Sequence, residues 1–251
     1  MKKIHGIILV VLITLLTGCA QLMNMVQTAS AISELTEGDI VSGLKEALTI
    51  GARNAAEKLS LENGYYGDQS VKIPLPEEAM VIVENISRIP GGDKLMEEVV
   101  LSINRAAEDA ARNVAPIFAS AVTQMTITDG YNILHGADNA ATQYLISTTY
   151  DQLYSLYRPK ISASTGKDIV AGISAQESWT TLTDKWNTLA GSIAGRLAGF
   201  KPVNTDLDDF LTRKALDGMF LKVEGEELKI RKDVSARITP LLQRVFGSLD
   251  N

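Results

Sequence analysis

Cysteine is almost missing from this chain: 251 residues carry one, Cys19. A solitary thiol cannot close an internal disulfide, and with only two histidines no Cys/His zinc site can be assembled. No metal or other cofactor is therefore expected. Aromatic residues are scarce, at 6 %, while alanine is plentiful, a balance that favours closely packed helices over sheets. Positive charge is in deficit too. Twenty-four Lys and Arg stand against 30 Asp and Glu, a formal charge of −6. A nucleic-acid partner needs a basic face, so that class is set aside. The longest greasy run, Ile7 to Leu16, falls well short of the roughly 20 residues that cross a bilayer. No GxSxG elbow is present to support a serine hydrolase.

What is there begins at the N-terminus. Lys2 and Lys3 precede the apolar run, and Leu16-Thr17-Gly18-Cys19 follows it: a charged n-region, an h-region and small residues leading to a thiol. The segment resembles a bacterial lipobox. That resemblance implies cleavage before Cys19 and acylation of its sulfur, with the chains, palmitate among them, serving as membrane anchor. Residues 1–18 are then a lipoprotein signal peptide, 19–37 a lipidated N-terminus and tether, and 38–251 a helical domain. Loss of Lys2 and Lys3 moves the formal charge to about −8, too acidic overall to dock on anionic lipid by charge, so attachment rests on the acyl chains. Ala20 stands where aspartate would resemble an inner-membrane retention signal. The expected address is the bacterial cell envelope, at the outer membrane facing the periplasm.

The remaining residues are enough for one sizeable core. Ile40, Val41, Leu44, Ala47, Leu48, Gly51, Ala52, Ala55 and Leu59 recur at three- and four-residue steps, one face of a helix. Thr36 with Asp39 resembles its capping box. GYYGDQS from Gly64 is turn chemistry, and VKIPLP is extended because each proline disfavours helix in its predecessor. Further helices are predicted over 77–89 and 94–114, from Thr128 or Asp129 to Gly136, and from Asp138 or Asn139 to Arg158 before Pro159. Others surround Trp179 and Trp186, start at a Thr205 cap with Asp208, and cover EGEELKIRKD and ARITPLLQRVFG. No sustained alternating pattern occurs. The fold class is all-α, a single multi-helix bundle-like domain. GFKPVN, from Gly199, is a connection within it. Gly191, Gly195 and Gly199 mark a close packing or a loosened helix, and Tyr65 and Tyr66 are placed in a partly exposed turn.

Four blocks in order carry a likeness to a known family. They are GYYGDQSVKIPLPE, LSINRAAEDAARNVAPIF, MTITDGYNILHGADNAATQY, and ALDGMFLKVEGEELKIRKD with LLQRVFG. From about Leu44 to Gly247 the chain resembles the bacterial domain-of-unknown-function family numbered 4197. The resemblance implies a helical protein, often with a signal or lipoprotein leader, and carries no assigned activity. The chain departs from that pattern at Ile146, where an arginine is expected, and at Gly130, where an alanine is.

Histidine offers little chemistry, since His135, beside Gly136, reads as a helix C-terminal residue meeting the dipole. Asp138 and Asn139 lack the spacing of a calcium loop. The sharpest constellation is SINRAAEDAARN. Asn104, Arg105, Glu108 and Arg112 sit three or four apart, a polar seam opposite Val99, Ile103, Ala106, Ala110 and Val114. In one reading Arg105 and Glu108 pair and cap neighbouring helix ends. In the other they line a pocket completed by Asp129, Asp138, Thr142 and Tyr144. Two functions follow: a non-enzymatic module binding a small ligand, a lipid or an envelope protein, or a carboxylate-dependent hydrolase with Glu108 and Asp129 as acid and base.

Overall fold

A computed structural model describes residues 35–250; Cys19, the signal peptide and most of the expected tether lie outside them. The protein is all-α: the described residues form ten α-helices and three 3-10 turns, with one isolated bridge between Val170 and Ile173. Helix α1 (Glu37–Leu59) comes first. Its apolar stripe is buried along its whole length, from Ile40 through Leu44, Leu48, Ala52 and Ala55 to Leu59. After the 3-10 turn Glu77–Ala79 come the short α2 (Met80–Glu84) and a second 3-10 turn at Ile86–Arg88. The predicted 77–89 helix is thus broken twice. Then follow α3 (Gly92–Ala111), α4 (Val114–Gln124), α5 (Gly130–Leu134) and α6 (Ala140–Thr165). The chain ends with α7 (Ala175–Gly191), α8 (Ile193–Leu197), α9 (Leu207–Lys232) and α10 (Pro240–Gly247).

Helix α9 lies between α1 and α6 and is the centre of the bundle; α4 closes against both α1 and α6, while α3 joins α6 to α7. Small residues allow the close contacts. A Cβ added at Gly43 would stand 2.7 Å from Val245 of α10, and one at Gly218 would stand 2.8 Å from the Tyr65 ring. Such distances are below van der Waals contact, so even alanine would push the partners apart.

Three sequence expectations are corrected. Helix α6 runs through Pro159 to Thr165 rather than stopping at Arg158. Proline removes one hydrogen bond and crowds the carbonyl four residues back, but Ser155 and Pro159 are both exposed, so water can serve the freed carbonyl. Meanwhile Leu153, Tyr157 and Ile161 keep the opposite face buried. The cap of α9 is Asp206, whose Oδ1 accepts from the Asp209 amide at 3.0 Å. Thr205 instead gives its carbonyl to the Trp179 indole N–H at 3.3 Å. The segment EGEELKIRKD continues α9 without a break, because Leu216, Met219, Val223 and Ile230 extend one buried stripe. The glycine series ends α7: Ser192 caps α8, and Gly199 takes φ +76°, open to glycine at low cost.

Candidate functional site

The loop from Ser60 to Pro76 has little regular structure, and three side chains of α3 hold it. Asn104 is fully buried. Its Oδ1 accepts from the Ile73 amide at 2.9 Å, and its Nδ2 donates to the Ile73 carbonyl and to the Val100 carbonyl, each at 2.8 Å. One side-chain amide thus does for an extended backbone what a neighbouring strand would do. One turn further, Glu108 Oε1 accepts from the amides of Tyr65 and Tyr66, both at 3.0 Å, and Oε2 accepts from Arg105 Nη1 at 2.6 Å. The other end of Arg105 donates to Glu62 at 3.2 Å and Asn63 at 3.0 Å. Glu108 therefore meets a loop rather than a helix end, and Arg112 lies near Asp109, not Glu108.

Held this way, the loop puts its two tyrosines to different uses. Tyr65 is fully buried, contrary to the exposed turn expected of it, and donates its hydroxyl to the Ala215 carbonyl at 2.8 Å. Burial, with Tyr157 and Glu108 close by, raises its pKa well above the usual phenol value. Tyr66 stays half-buried, with the Lys72 ammonium 4.2 Å above its ring centre. Beyond it opens a groove of about 410 Å³. It is lined by Pro74 and Leu75 of the pinned segment, Met80 and Val83 of α2, and Met96 and Val100 of α3. Tyr66, Gln69, Lys72 and Glu97 supply its polar groups. Lys72 makes no ion pair among the described residues, and its cation lies over the Tyr66 ring. The groove has the size and lining of a small-molecule site: mostly apolar, with few polar groups. Its two methionines can reshape to fit an irregular guest.

A second buried charge pair lies in α9. Glu227 Oε1 accepts from the Ala141 amide at 3.0 Å and from Arg231 Nε at 2.9 Å. Its Oε2 accepts from the Thr142 amide at 2.8 Å and hydroxyl at 2.7 Å. Arg231 donates to the carbonyls of Leu134 at 2.6 Å and Ile133 at 3.0 Å. An anion thus sits at the N-terminus of α6 and a cation at the C-terminus of α5, each where the helix partial charge favours it. Arg237 extends the network: it donates to the Ile230 and Arg231 carbonyls, each at 2.9 Å, and pairs with Asp250 through both nitrogens.

The other sequence candidates fall to separate places. Asp129 caps α5, accepting from the Asn132 amide at 3.1 Å. Asp138 pairs with Lys232 at 2.9 Å, and Tyr144 donates to the Thr126 carbonyl at 2.7 Å. His135 ends α5 with Nδ1 2.9 Å from the Tyr131 carbonyl. Asn104, Arg105 and Glu108 are brought together; Asp129, Asp138, Thr142 and Tyr144 share no hydrogen-bond partner with them. Glu108 and Asp129 have no hydrogen-bond partner in common: one holds the Tyr65 and Tyr66 amides and Arg105, the other Asn132. Among the described residues no group of three or more His, Cys, Asp and Glu is placed to hold a metal ion. Gly130 has a local cause: its amide donates to Glu37 at 2.7 Å, and a Cβ there would stand 2.8 Å from that carboxylate.

The family model described as "Protein of unknown function (DUF4197)" matches residues 34–247. The chain belongs to this family. No curated protein and no solved structure matches it. In this DUF4197 protein the matched span takes in both buried pairs and the groove, so the family segment contains a complete bundle with its candidate site. Sequence reasoning located the seam but missed the groove, whose walls come from three segments made neighbours only by the fold. It missed Glu227 and Arg231 as well, although their four-residue spacing was visible in EELKIRK.

Proposed function

We propose that this protein is a lipid-anchored, non-enzymatic binding module of the bacterial envelope, and that its groove takes an anionic amphiphile with one apolar chain. The anchor reading rests on Lys2-Lys3, the Ile7–Leu16 run and Leu-Thr-Gly-Cys19. Ala20 supports an outer-membrane address facing the periplasm. The binding reading rests on one observation: an apolar groove lined by a segment that Asn104 and Glu108 pin, with Lys72, which makes no ion pair among the described residues, in its lining. The chain of the guest lies on Met80, Val83, Met96 and Val100, and its acid group meets Lys72. A pinned wall favours binding because little loop ordering remains to be done when the guest arrives. Glu108 acts in this reading by positioning the loop, since all its bonds are to the protein.

The test is titration of the mature chain from Ala20 with dansyl-labelled undecanoic acid. Saturable, blue-shifted fluorescence is expected, weakened about tenfold or more by Met96→Glu, since that side chain lies half-buried in the lining. Lys72→Glu is expected to weaken a carboxylate probe more than its methyl ester. No saturable binding, or binding indifferent to both changes, overturns the groove assignment. The anchor is tested separately: Cys19→Ala should block lipoprotein processing and change membrane fractionation.

A further inference from the structure

The acidity of the whole chain conceals one stretch of the opposite kind. From Lys185 to Thr205, 21 residues in succession contain no Asp or Glu, while Lys185, Arg196 and Lys201 are basic. The structure folds the middle of this stretch into a hydrogen-bonded turn. Helix α7 ends at Gly191, Ser192 caps α8 by accepting from the Gly195 amide at 3.0 Å, and the chain reverses at Gly199. The returning segment is tied to α7. The Trp186 indole donates to the Lys201 carbonyl at 2.9 Å, and Asn187 exchanges bonds with the Val203 backbone at 2.8 and 3.1 Å. The turn is tight enough that a Cβ at Gly195 would fall 2.1 Å from the Leu189 carbonyl.

At the tip of this built turn stand Ile193 and Leu197, 74 % and 85 % exposed. They are the two most exposed large apolar side chains among the described residues, and their four-residue spacing puts them on one side of α8. Three cations belong to the same turn and its packing partner. Arg196 lies between them in sequence, Lys201 follows, and Arg88 from the second 3-10 turn stacks over Phe200 at 5.4 Å, whose ring in turn meets Trp186 at 5.0 Å. None of Arg88, Arg196 and Lys201 has a carboxylate partner among the described residues. Two exposed apolar side chains on a hydrogen-bonded turn, in a stretch that carries unpaired cations and no acid in an otherwise acidic protein, match the polar boundary of an anionic bilayer.

We infer that the α7–α8 turn is a second, weak membrane contact, with Ile193 and Leu197 entering the headgroup boundary of a bilayer containing anionic phospholipid. The inference rests on the lipid-anchored reading above and deepens it, since the acyl anchor confines the domain and the patch then orients it. The acidic remainder of the chain is repelled from the same surface, which makes the orientation one-sided. The groove is a separate feature, and neither proposal needs the other.

The experiment uses the full-length lipidated protein. With the sulfur of Cys19 acylated, an introduced cysteine is the sole free thiol. Leu197→Cys, labelled with an environment-sensitive fluorophore, is compared with Glu57→Cys on α1 after floating with vesicles of phosphatidylglycerol and phosphatidylethanolamine. A blue shift at position 197, with iodide quenching about threefold or more below that at position 57, is expected. Phosphatidylcholine vesicles, or Arg196→Glu with Lys201→Glu, should reduce that protection without releasing the protein. Equal quenching at both positions on floated protein overturns the inference alone. Protein that does not float overturns the anchor reading and the inference together. Protection seen in native envelope membranes but not in protein-free vesicles assigns the patch to a protein partner and also overturns it.

Discussion

The two buried acid–arginine pairs use the same chemistry to opposite structural ends. Glu108 and Glu227 each accept two backbone amides and one arginine. Around Glu108 those amides belong to a loop, and Arg105 leans outward to Glu62 and Asn63 with its side chain 16 % exposed. Around Glu227 they belong to the start of α6, and Arg231, 2 % exposed, turns inward to the end of α5. The first pair shapes a surface; the second ties two helix ends to a third helix. An ion pair's own attraction is not what distinguishes them. The difference lies in which backbone groups would be stranded if the pair were removed.

The strongest way to break the comparison is at α9. Arg231→Ala should cost about 3–5 kcal/mol in urea unfolding, the range for leaving a buried charge without its partner. A plain buried ion pair can often be replaced by apolar residues at little cost. Here Glu227→Leu with Arg231→Met should stay strongly destabilised, because the Ala141 and Thr142 amides and the Leu134 carbonyl lose their partners, while the Ile133 carbonyl keeps the Gly136 amide. Full recovery in the double variant would show that the helix-end contacts carry little.

The first pair should respond less, and unequally. Glu108→Ala strands two loop amides and is expected to cost about 2–4 kcal/mol while weakening groove binding. Arg105→Ala should cost about 2 kcal/mol: its outer bonds are wet, but the buried Glu108 carboxylate loses its cation and keeps only the two loop amides. If both changes leave dansyl-fatty-acid binding untouched while lowering stability, the loop does not position the groove.

Adjacent to Glu227, Glu226 shows a third way to hold a carboxylate, through side chains alone. Burial acts to raise its pKa, but bonds from Lys229 at 2.7 Å, Lys58 at 2.6 Å and Asn54 at 2.8 Å outweigh it and bring it from 4.5 to about 2. A carboxylate more acidic when folded stabilises the protein above its unfolded pKa, and that contribution is lost as pH falls through the folded value. Stability should therefore decline between about pH 4.5 and 2, and Glu226→Gln should flatten that decline in acid unfolding curves.

How much of this was legible follows from where each signal lives. Helix periodicity is local, so α1, α3 and the polar stripe at Asn104, Arg105 and Glu108 could be read directly. Their partners could not: Ile73, Tyr65 and Tyr66 lie 31 to 43 residues away, through a loop with no periodicity. Glu227 and Arg231 were hidden for another reason. Beside Glu224, Glu226, Lys229 and Lys232 they look like one more solvated face, and only the burial of α9 between α1 and α6 turns two of those charges inward. Pro159 misled because a local rule was applied without knowing that its side of the helix faces water.

The smallest effect is expected where the sequence was read most directly. Asp129 combines a residue type favoured at helix starts with the short segment that follows it, and it caps α5 as that pattern requires. Asp129→Ala should cost about 1 kcal/mol, the usual loss for an N-cap. Yet α5 is also held at its far end by Arg231. Because both ends belong to one five-residue helix, Asp129→Ala combined with Arg231→Ala should differ from the sum of the single losses. An additive result in urea unfolding would mean that α5 frays independently at each end. A non-additive one would make α5 the element through which the cap read from sequence and the pair hidden in the fold act together.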